Sequence, residues 1–408
     1  MLKLYREYQG RVIVAAVILA FCFGIAIPGL FKHISFISDV FINLLKLCAL
    51  PIILTSIVVT IGQLPNPGEL KLVARNSIFY ILASEVIAVT IGLVVFNSID
   101  ISTHINPATL LNGTTYTGST STTINPTQIF NFLFTANIFH SLVQFDVLPI
   151  VVFAIMLGVT CAMNQTHAKP LMELFISTRY VFLSLLNGVM LIAPLAIFVL
   201  IGSSVANSYL GGALSTNLLA LLKFVGLFFI ALFIHFLWQL LLVAYFYRHL
   251  GIRKILITAV PIFVTAFVSS SSLATLPIAL EKAEELGGNK KVVEFMLPVC
   301  ASMNFASGMM YEVAASIFFL HMLGMHPQIM QQIFLSIACI ITGIAVGGIP
   351  ETSMVSFVTI FNMANIPLAA ITILLPLDRI VDRVRTMVNI FGNTCGTLIV
   401  SKTKAASL

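Results

Sequence analysis

The chain has 408 residues, of which 59% are hydrophobic and only 9% are charged. Soluble domains carry about 25% charged residues, so this composition excludes a soluble globular protein and predicts an all-α membrane protein with many spans. The formal charge of +6 does not indicate nucleic-acid binding, because Lys and Arg cluster in short segments between apolar runs, as the positive-inside rule describes.

The first three apolar runs lie near residues 12–31, 36–61 and 76–97, and each is long enough to cross a bilayer. Basic residues precede the first run and separate the second from the third, which predicts cytoplasmic sides at both places. Residues 98–128 are rich in Ser, Thr, Asn and Gly, a composition that predicts an external loop.

The middle of the chain predicts a second set of three spans. Residues 129–163 are apolar but interrupted by polar residues and by Pro149, which predicts a broken membrane segment. We expect helices over about 180–205 and 217–247 to follow. Two triplets of opposite orientation are typical of an inverted-topology repeat, although no residue-level similarity between them is visible.

Two later regions predict re-entrant hairpins. A run of four serines, 269–272, separates two apolar arms that are too short to span and are flanked by cytoplasmic charges. After an outward crossing over 292–322, the Gly-rich stretch 342–353 separates two more arms, which predicts a hairpin entering from outside. Exposed backbone at membrane depth is tolerated where it lines a cavity, so both tips are candidate binding elements. The alternative is a structural loop buried in protein.

The last helix carries a polar stripe in an apolar setting. Asp378, Asp382, Arg385, Asn389 and Asn393 are spaced 4, 3, 4 and 4 residues apart, which brings them to one helix face. An ionisable group at mid-bilayer costs about 2.5 to 3.5 kcal/mol, so the stripe predicts a polar cavity or ligand site. The alternative is an interior salt-bridge network that only locks helices together.

Three motifs carry a family resemblance: SSSSLATLP at 269–277, LPVCASMNFASGMMYE at 297–312 and DRIVDRVRTMVNIFGN at 378–393. They resemble the glutamate and aspartate transporter family, the dicarboxylate/amino acid:cation symporters. The resemblance implies an inverted-repeat secondary transporter fold with eight transmembrane helices and two re-entrant helical hairpins. It also implies homotrimers in which a static scaffold holds a moving transport domain, the elevator type of alternating access.

The resemblance implies the following division of the chain: scaffold helices in 1–75 and 129–205, transport-domain helix 3 in 76–97, an external loop in 98–128, and the rest of the transport domain in 206–408, with hairpin 1 at 255–287 and hairpin 2 at 327–368.

By the same resemblance, the substrate pocket comprises ten residues: Ser271, Ser272, Gly348, Ile349, Pro350, Ser353, Asp382, Arg385, Thr386 and Asn389. Their chemistry suits an acidic amino acid. Asp382 is a fixed carboxylate for an α-ammonium group, and the Arg385 guanidinium can pair bidentately with a side-chain carboxylate. We expect L-aspartate or L-glutamate as the substrate.

The departures from the family pattern concern sodium. Asn304 is retained, but Ala306 and Asn393 stand where the family usually has sodium-binding aspartates, and Ile81 and Ser84 stand where sodium-coupled members have tyrosine and threonine. Sodium needs oxygen ligands and countercharge, so these positions predict the loss of at least two sodium sites.

A proton is the expected replacement. Glu312 matches the position of a protonatable glutamate in proton-coupled members, and Glu85 is an additional acid next to Ser84. Alternatively, Glu312 only makes a hydrogen bond inside the moving domain, and the chain is an uncoupled carrier or exchanger. Gly308, in place of a threonine that helps hold the side-chain carboxylate, and Glu351, in a tip that is commonly Gly-rich, leave a neutral amino acid or a C4-dicarboxylate as further alternatives.

Other function classes have weaker support. Asp378 and Asp382 lie one turn apart on a single helix, unlike a catalytic acid pair from separate elements, and neither GxSxG nor HExxH occurs. Unitary currents without substrate would indicate a channel instead. The histidines and cysteines show no metal-ligand spacing, so we expect no cofactor or metal, and we expect a multi-pass protein of the cytoplasmic membrane whose partners are lipids, protons and substrate.

Overall fold

The structure, a computed structural model, describes residues 2–63, 71–99, 135–144, 147–189, 191–211, 214–346 and 352–402. Within those ranges every regular element is a helix. The helices are α1 (Leu2–Ala26), α2 (Leu30–Ile34), α3 (Phe36–Gly62), α4 (Lys71–Ser98), α5 (Ile138–Gln144), α6 (Val147–Met163), α7 (Gln165–Val189), α8 (Ala193–Leu210), α9 (Leu214–Phe246), α10 (Gly251–Ser269), α11 (Ser272–Glu285), α12 (Lys290–Met303), α13 (Ala306–Met322), α14 (Ile329–Val346), α15 (Thr352–Met363) and α16 (Ala369–Ser401).

The length and hydropathy of several helices suit a bilayer. Among the described residues, four helical stretches are long and apolar enough to cross a membrane: Leu72–Ser98, Ala193–Leu210, Leu218–Phe246 and Lys290–Met322. Shorter apolar helices occur at Ala15–Ala26, Leu50–Val59, Val152–Met163 and Ile329–Ile344. The all-helical prediction is therefore confirmed for the described chain, whereas the count of eight spans and two hairpins stays a prediction.

Two predicted helices are interrupted. The prediction of one continuous helix over about 180–205 is wrong, because α7 ends at Val189 and α8 begins at Ala193. Pro194, which lacks a backbone N–H, lies in the first turn of α8, where that donor is not needed. The crossing expected over 292–322 is divided into α12 and α13 by non-helical backbone at Asn304 and Phe305.

Part of the predicted broken segment 129–163 lies within the described residues, whereas 129–134 and 145–146 lie outside them. Within 129–163, α5 and α6 lie on either side of residues 145 and 146. The Asn137 side chain starts α5 by accepting hydrogen bonds from the N–H groups of Phe139 and His140 at 3.0 and 3.3 Å. From residue 100 onwards, the predicted external loop lies outside the described residues.

Helix α16 lies at the centre of the C-terminal half. It packs against α9, α10, α11 and α12, and it also contacts α4 and α13. Helix α4 comes from the N-terminal half, yet it packs most extensively against α13. These contacts surround the polar stripe of α16 with other helices and bury most of it, leaving Asp382 partly accessible.

The contact between α4 and α16 is close because α16 has glycines there. The Tyr80 hydroxyl donates a hydrogen bond of 2.8 Å to the carbonyl of Gly392. Its ring lies directly against the α-carbon of Gly396, where a Cβ atom would overlap the ring. Gly396 is therefore required by the proximity of a neighbouring side chain.

We predict that Gly396→Ala destabilises the protein by about 1–3 kcal/mol, because the Tyr80 ring must move and overpacked cores lose about that much. The measurement is the midpoint of thermal unfolding in detergent. Gly226→Ala on α9 is the matched control, since a Cβ there meets nothing within 4 Å. Equal midpoints for the two variants would show that the contact has no energetic importance.

Candidate functional site

The serine run forms the break between α10 and α11. Ser270 adopts the left-handed conformation (φ 50°, ψ 33°) and donates its N–H to the Ala266 carbonyl at 2.9 Å, which ends α10. The Ser271 hydroxyl accepts a 3.2 Å hydrogen bond from the N–H of Ala274 and so starts α11, with Ser272 as its first residue. Both predicted serines therefore lie at the helix break.

Arg383 on α16 contacts the end of α10. Its Nη1 donates a 3.0 Å hydrogen bond to the Phe267 carbonyl, and its guanidinium carbon lies 5.7 Å from the centre of the Phe267 ring. A cation is favourable at a helix C-terminus, where carbonyls lack intrahelical partners. The contact fixes the first serine-containing break relative to α16.

The polar stripe of α16 is organised by Arg385, which is fully buried. Its Nη2 donates to Asp378 Oδ1 at 2.8 Å, to Asp382 Oδ1 at 2.9 Å and to Ser353 Oγ at 2.8 Å. Ser353 belongs to α15, so this single nitrogen joins α15 to α16. The guanidinium thus contacts two predicted substrate residues, Ser353 and Asp382, and also Asp378 of the polar stripe.

The other two nitrogens of the Arg385 guanidinium make no such contact within the described chain. Among the described residues, Arg385 Nε and Nη1 have no hydrogen-bond partner. The guanidinium carbon lies 4.5 Å from the centre of the Tyr311 ring and 5.9 Å from that of Phe305. Buried donors without partners are costly, about 1–3 kcal/mol or more when charged, so the site has two nitrogens, Nε and Nη1, whose N–H groups suit an anionic ligand.

Two amides of α16 hold the break between α12 and α13. Asn389 Oδ1 accepts a 2.9 Å hydrogen bond from the N–H of Ser307, and Asn393 Oδ1 accepts one of 2.8 Å from Asn304 Nδ2. Asn304 Oδ1 and Asn393 Nδ2 have no partner within the described part of the chain. Asn389, predicted to contact substrate, here positions the backbone of the break.

Phe305 and Gly308 form a matched pair beside Arg385. The Phe305 ring lies so close to the Gly308 α-carbon that a Cβ atom at residue 308 would overlap it. The position that resembles a threonine site is therefore occupied by an aromatic ring from three residues earlier. Any larger residue at 308 requires Phe305 to change its side-chain conformation.

The two acids considered for coupling are both fully buried. The carboxyl oxygens of Glu312 and Glu85 make no hydrogen bond with the described residues. Glu312 lies near the Ser356 hydroxyl and the Arg385 guanidinium, whereas Glu85 lies near the Phe305 backbone and the Cys300 thiol. An unpaired carboxylate is costly to bury, so each group can hold a proton at little electrostatic cost.

The predicted sodium positions retain few oxygens. Ala306 and Ile81 are buried and offer no side-chain oxygen, while Ser84, Asn304 and Asn393 offer only neutral ones. No cluster of three or more His, Cys, Asp or Glu side chains that could hold a metal occurs in the ranges that the structure describes. The donor set at these positions does not suit a cation that needs a countercharge.

The structure does not describe all of the predicted substrate residues. Gly348, Ile349, Pro350 and also Glu351 lie outside the described residues. Thr386 is buried on α16, one position after Arg385.

Sequence reasoning missed the aromatic residues and the hydroxyl around the charges. Tyr311, Phe305 and Ser356 were not singled out, because an apolar segment gives no sign of which aromatic faces a charge. The adjacent polar residues Asn304 and Glu312 were the signal that could have drawn attention to them.

Comparison with known proteins identifies the family. The sequence model of the "Sodium:dicarboxylate symporter family" matches residues 11–403. The "Proton/sodium-glutamate symport protein" of Geobacillus stearothermophilus is 28% identical over 92% of this chain and 89% of its own length. The "Proton/glutamate-aspartate symporter" of Escherichia coli K12 is 26% identical over 90% and 84%, and the "C4-dicarboxylate transport protein" of Bacillus subtilis 168 is 24% identical over 99% and 95%.

The match covers nearly the whole chain, including both serine-break helices and α16, and all three relatives are transporters by name. The buried ion-pair cluster therefore lies in a multi-pass membrane transporter and not in an enzyme, and the chain belongs to the sodium:dicarboxylate symporter family.

Proposed function

We propose that this protein is a secondary active transporter of acidic amino acids, L-aspartate or L-glutamate, driven by protons and independent of sodium. The observation that carries the proposal is the buried Arg385 guanidinium beside Asp382, in which Nε and Nη1 have no hydrogen-bond partner among the described residues. A substrate carboxylate can accept a charge-assisted hydrogen bond from Nε or from Nη1, which is a strong form of this interaction.

The α-ammonium group of the substrate then pairs with Asp382, which is partly accessible while Asp378 is more deeply buried. Thr386 and backbone amides of the two helix breaks bind the α-carboxylate, while Asn389 keeps the α12–α13 break in position. This division of roles uses the carboxylates of α16 for the cation of the substrate and the guanidinium for its distal anion.

Proton coupling is supported by the distribution of buried acids. Ala306 and Asn393 provide no carboxylate. Glu312, in contrast, is a buried acid near Arg385 and can carry a proton. Glu85 is the second candidate. The Geobacillus relative is named for both protons and sodium, so sodium independence is a specific claim about this chain.

The proposed architecture follows the family. Helices α10 and α11 form the first re-entrant hairpin and α14 and α15 the second, in an eight-span protomer of a homotrimer in the cytoplasmic membrane. The left-handed Ser270 and the mutual packing of α10 and α11 support the first hairpin. The extensive contact of α4 with α13 supports assigning residues 76–97 to the moving domain of an elevator mechanism.

Two alternatives keep some support. The Bacillus C4-dicarboxylate relative and the loss of a hydroxyl at Gly308 favour a C4-dicarboxylate or neutral amino acid. A dicarboxylate leaves Asp382 without an ammonium partner, although Arg385 already balances part of that charge. An uncoupled carrier or exchanger results if Glu312 does not titrate during transport.

The experiment that tests the proposal is uptake of radiolabelled substrate into proteoliposomes under separately imposed gradients. We expect an inward proton gradient to drive accumulation of L-aspartate or L-glutamate and a sodium gradient to have no effect. Accumulation driven by sodium alone would overturn sodium independence, and exchange without accumulation would indicate an uncoupled carrier. Transport of succinate alone would favour the C4-dicarboxylate alternative.

We predict that Glu312→Gln abolishes proton-driven accumulation but retains counterflow, because the amide keeps the size of the side chain and cannot release a proton. The measurement is uptake with and without a proton gradient. Glu294→Gln is the matched control, since Glu294 is exposed and only paired with Lys290 at 3.8 Å. Unchanged accumulation in Glu312→Gln would remove this residue from the coupling mechanism.

We predict that Arg385→Lys raises the KM for the acidic substrate by at least about tenfold, or about 1.4 kcal/mol, because an ammonium keeps the charge but not the guanidinium fork. Arg383→Lys serves as the control on the neighbouring face, because lysine can still donate to the Phe267 carbonyl. Equal KM values for both variants would contradict carboxylate binding by the Arg385 guanidinium.

We predict that Gly308→Ala weakens substrate binding by about 1–3 kcal/mol, because the Phe305 ring, 5.9 Å from the Arg385 guanidinium carbon, must move to admit the new methyl group. Phe305→Ala in the same chain removes the overlap and should restore most of the affinity. The test is a double-mutant cycle on the KM for uptake. Purely additive effects would mean that the two positions are independent.

A further inference from the structure

Two histidines lie side by side where α13 ends. The ring centres of His321 and His326 are 5.1 Å apart, and their planes are inclined by 41°. His321 is half-buried in the last turn of α13, and His326 is exposed in the link to α14. The substrate site described above uses neither residue.

The backbone holds this pair in place. Gly324 adopts φ +75°, a conformation that favours glycine, and its N–H donates to the His321 carbonyl at 2.9 Å. The N–H of Met325 donates to the Leu320 carbonyl at 2.9 Å, which completes the Schellman motif at the helix end. The chain therefore folds back so that the second imidazole meets the first, and Pro327 then restricts the link.

The charge of the neighbouring sequence suits a cation. The sequence contains no Lys or Arg from Val292 to Leu377, so no fixed positive charge of this segment competes for the position. The carbonyl end of α13 adds partial negative charge from the helix dipole.

We propose that His321 and His326 chelate a divalent transition-metal ion of the zinc and copper class. Neutral imidazole nitrogens are preferred ligands of these ions, at about 2.0–2.1 Å for zinc. Within the described residues no cluster of three or more such ligands exists, so water completes the coordination. This is an exchangeable site that connects the end of α13 to the residues preceding α14. It does not depend on the proposed substrate or coupling ion.

Copper spectroscopy on the full-length protein in detergent, purified without a histidine tag, tests the site. One equivalent of Cu²⁺ should give an electron paramagnetic resonance spectrum with superhyperfine coupling to two imidazole nitrogens. His321→Ala or His326→Ala should each remove the two-nitrogen signature. His140→Ala, which removes an exposed histidine on α5, should leave it unchanged.

The midpoint of thermal unfolding with Zn²⁺ gives an independent test, because an ion that binds only the folded state raises this midpoint. We expect a saturable rise in the unaltered protein and in His140→Ala, and none in His326→Asn. Because His326 is exposed, that variant tests the site even if His321→Ala does not fold. A two-nitrogen signal or zinc-dependent rise that persists in His326→Asn would overturn the proposal and leave only adventitious binding.

Discussion

The buried guanidinium of Arg385 is the constraint on which the rest of the site depends. A charge without exposure to water requires hydrogen-bonded counterions, and Asp378 and Asp382 supply them from the same helix at 2.8 and 2.9 Å. The hydroxyl of Ser353 adds a third contact from α15. Because Nη2 alone donates in all three contacts, Nε and Nη1 are available without dismantling the cluster.

The charge of this cluster gives a physical reason for coupled transport. Two carboxylates and one guanidinium have a formal charge of −1. An acidic amino acid also carries −1, so the occupied site reaches −2 before any cation arrives. Burying that charge is costly, and a proton on Glu312 prevents a further negative charge near Arg385. In the proposed cycle, proton binding therefore favours substrate binding. The proton takes this role in a chain where Ala306 and Asn393 provide no carboxylate for sodium.

Much of this arrangement could be predicted from periodicity and composition. The stripe on α16 follows from intervals of three and four residues, and the serine run does form a helix break at Ser270. The break at Asn304 could not be predicted, because the flanking sequence is apolar enough for one continuous helix and the interruption depends on amides from α16. The Tyr311 and Phe305 contacts depend on tertiary packing, and apolar periodicity carries no information about which ring meets which charge.

The most direct test of this account is an experimental structure of the transporter with L-aspartate bound. The account predicts that one substrate carboxylate accepts a hydrogen bond from Arg385 Nε or Nη1, while Asp378 keeps its contact with Nη2 and Asp382 receives the α-ammonium group. A substrate held elsewhere, with Nε and Nη1 bonded to residues of the protein itself, would contradict the central role assigned to Arg385.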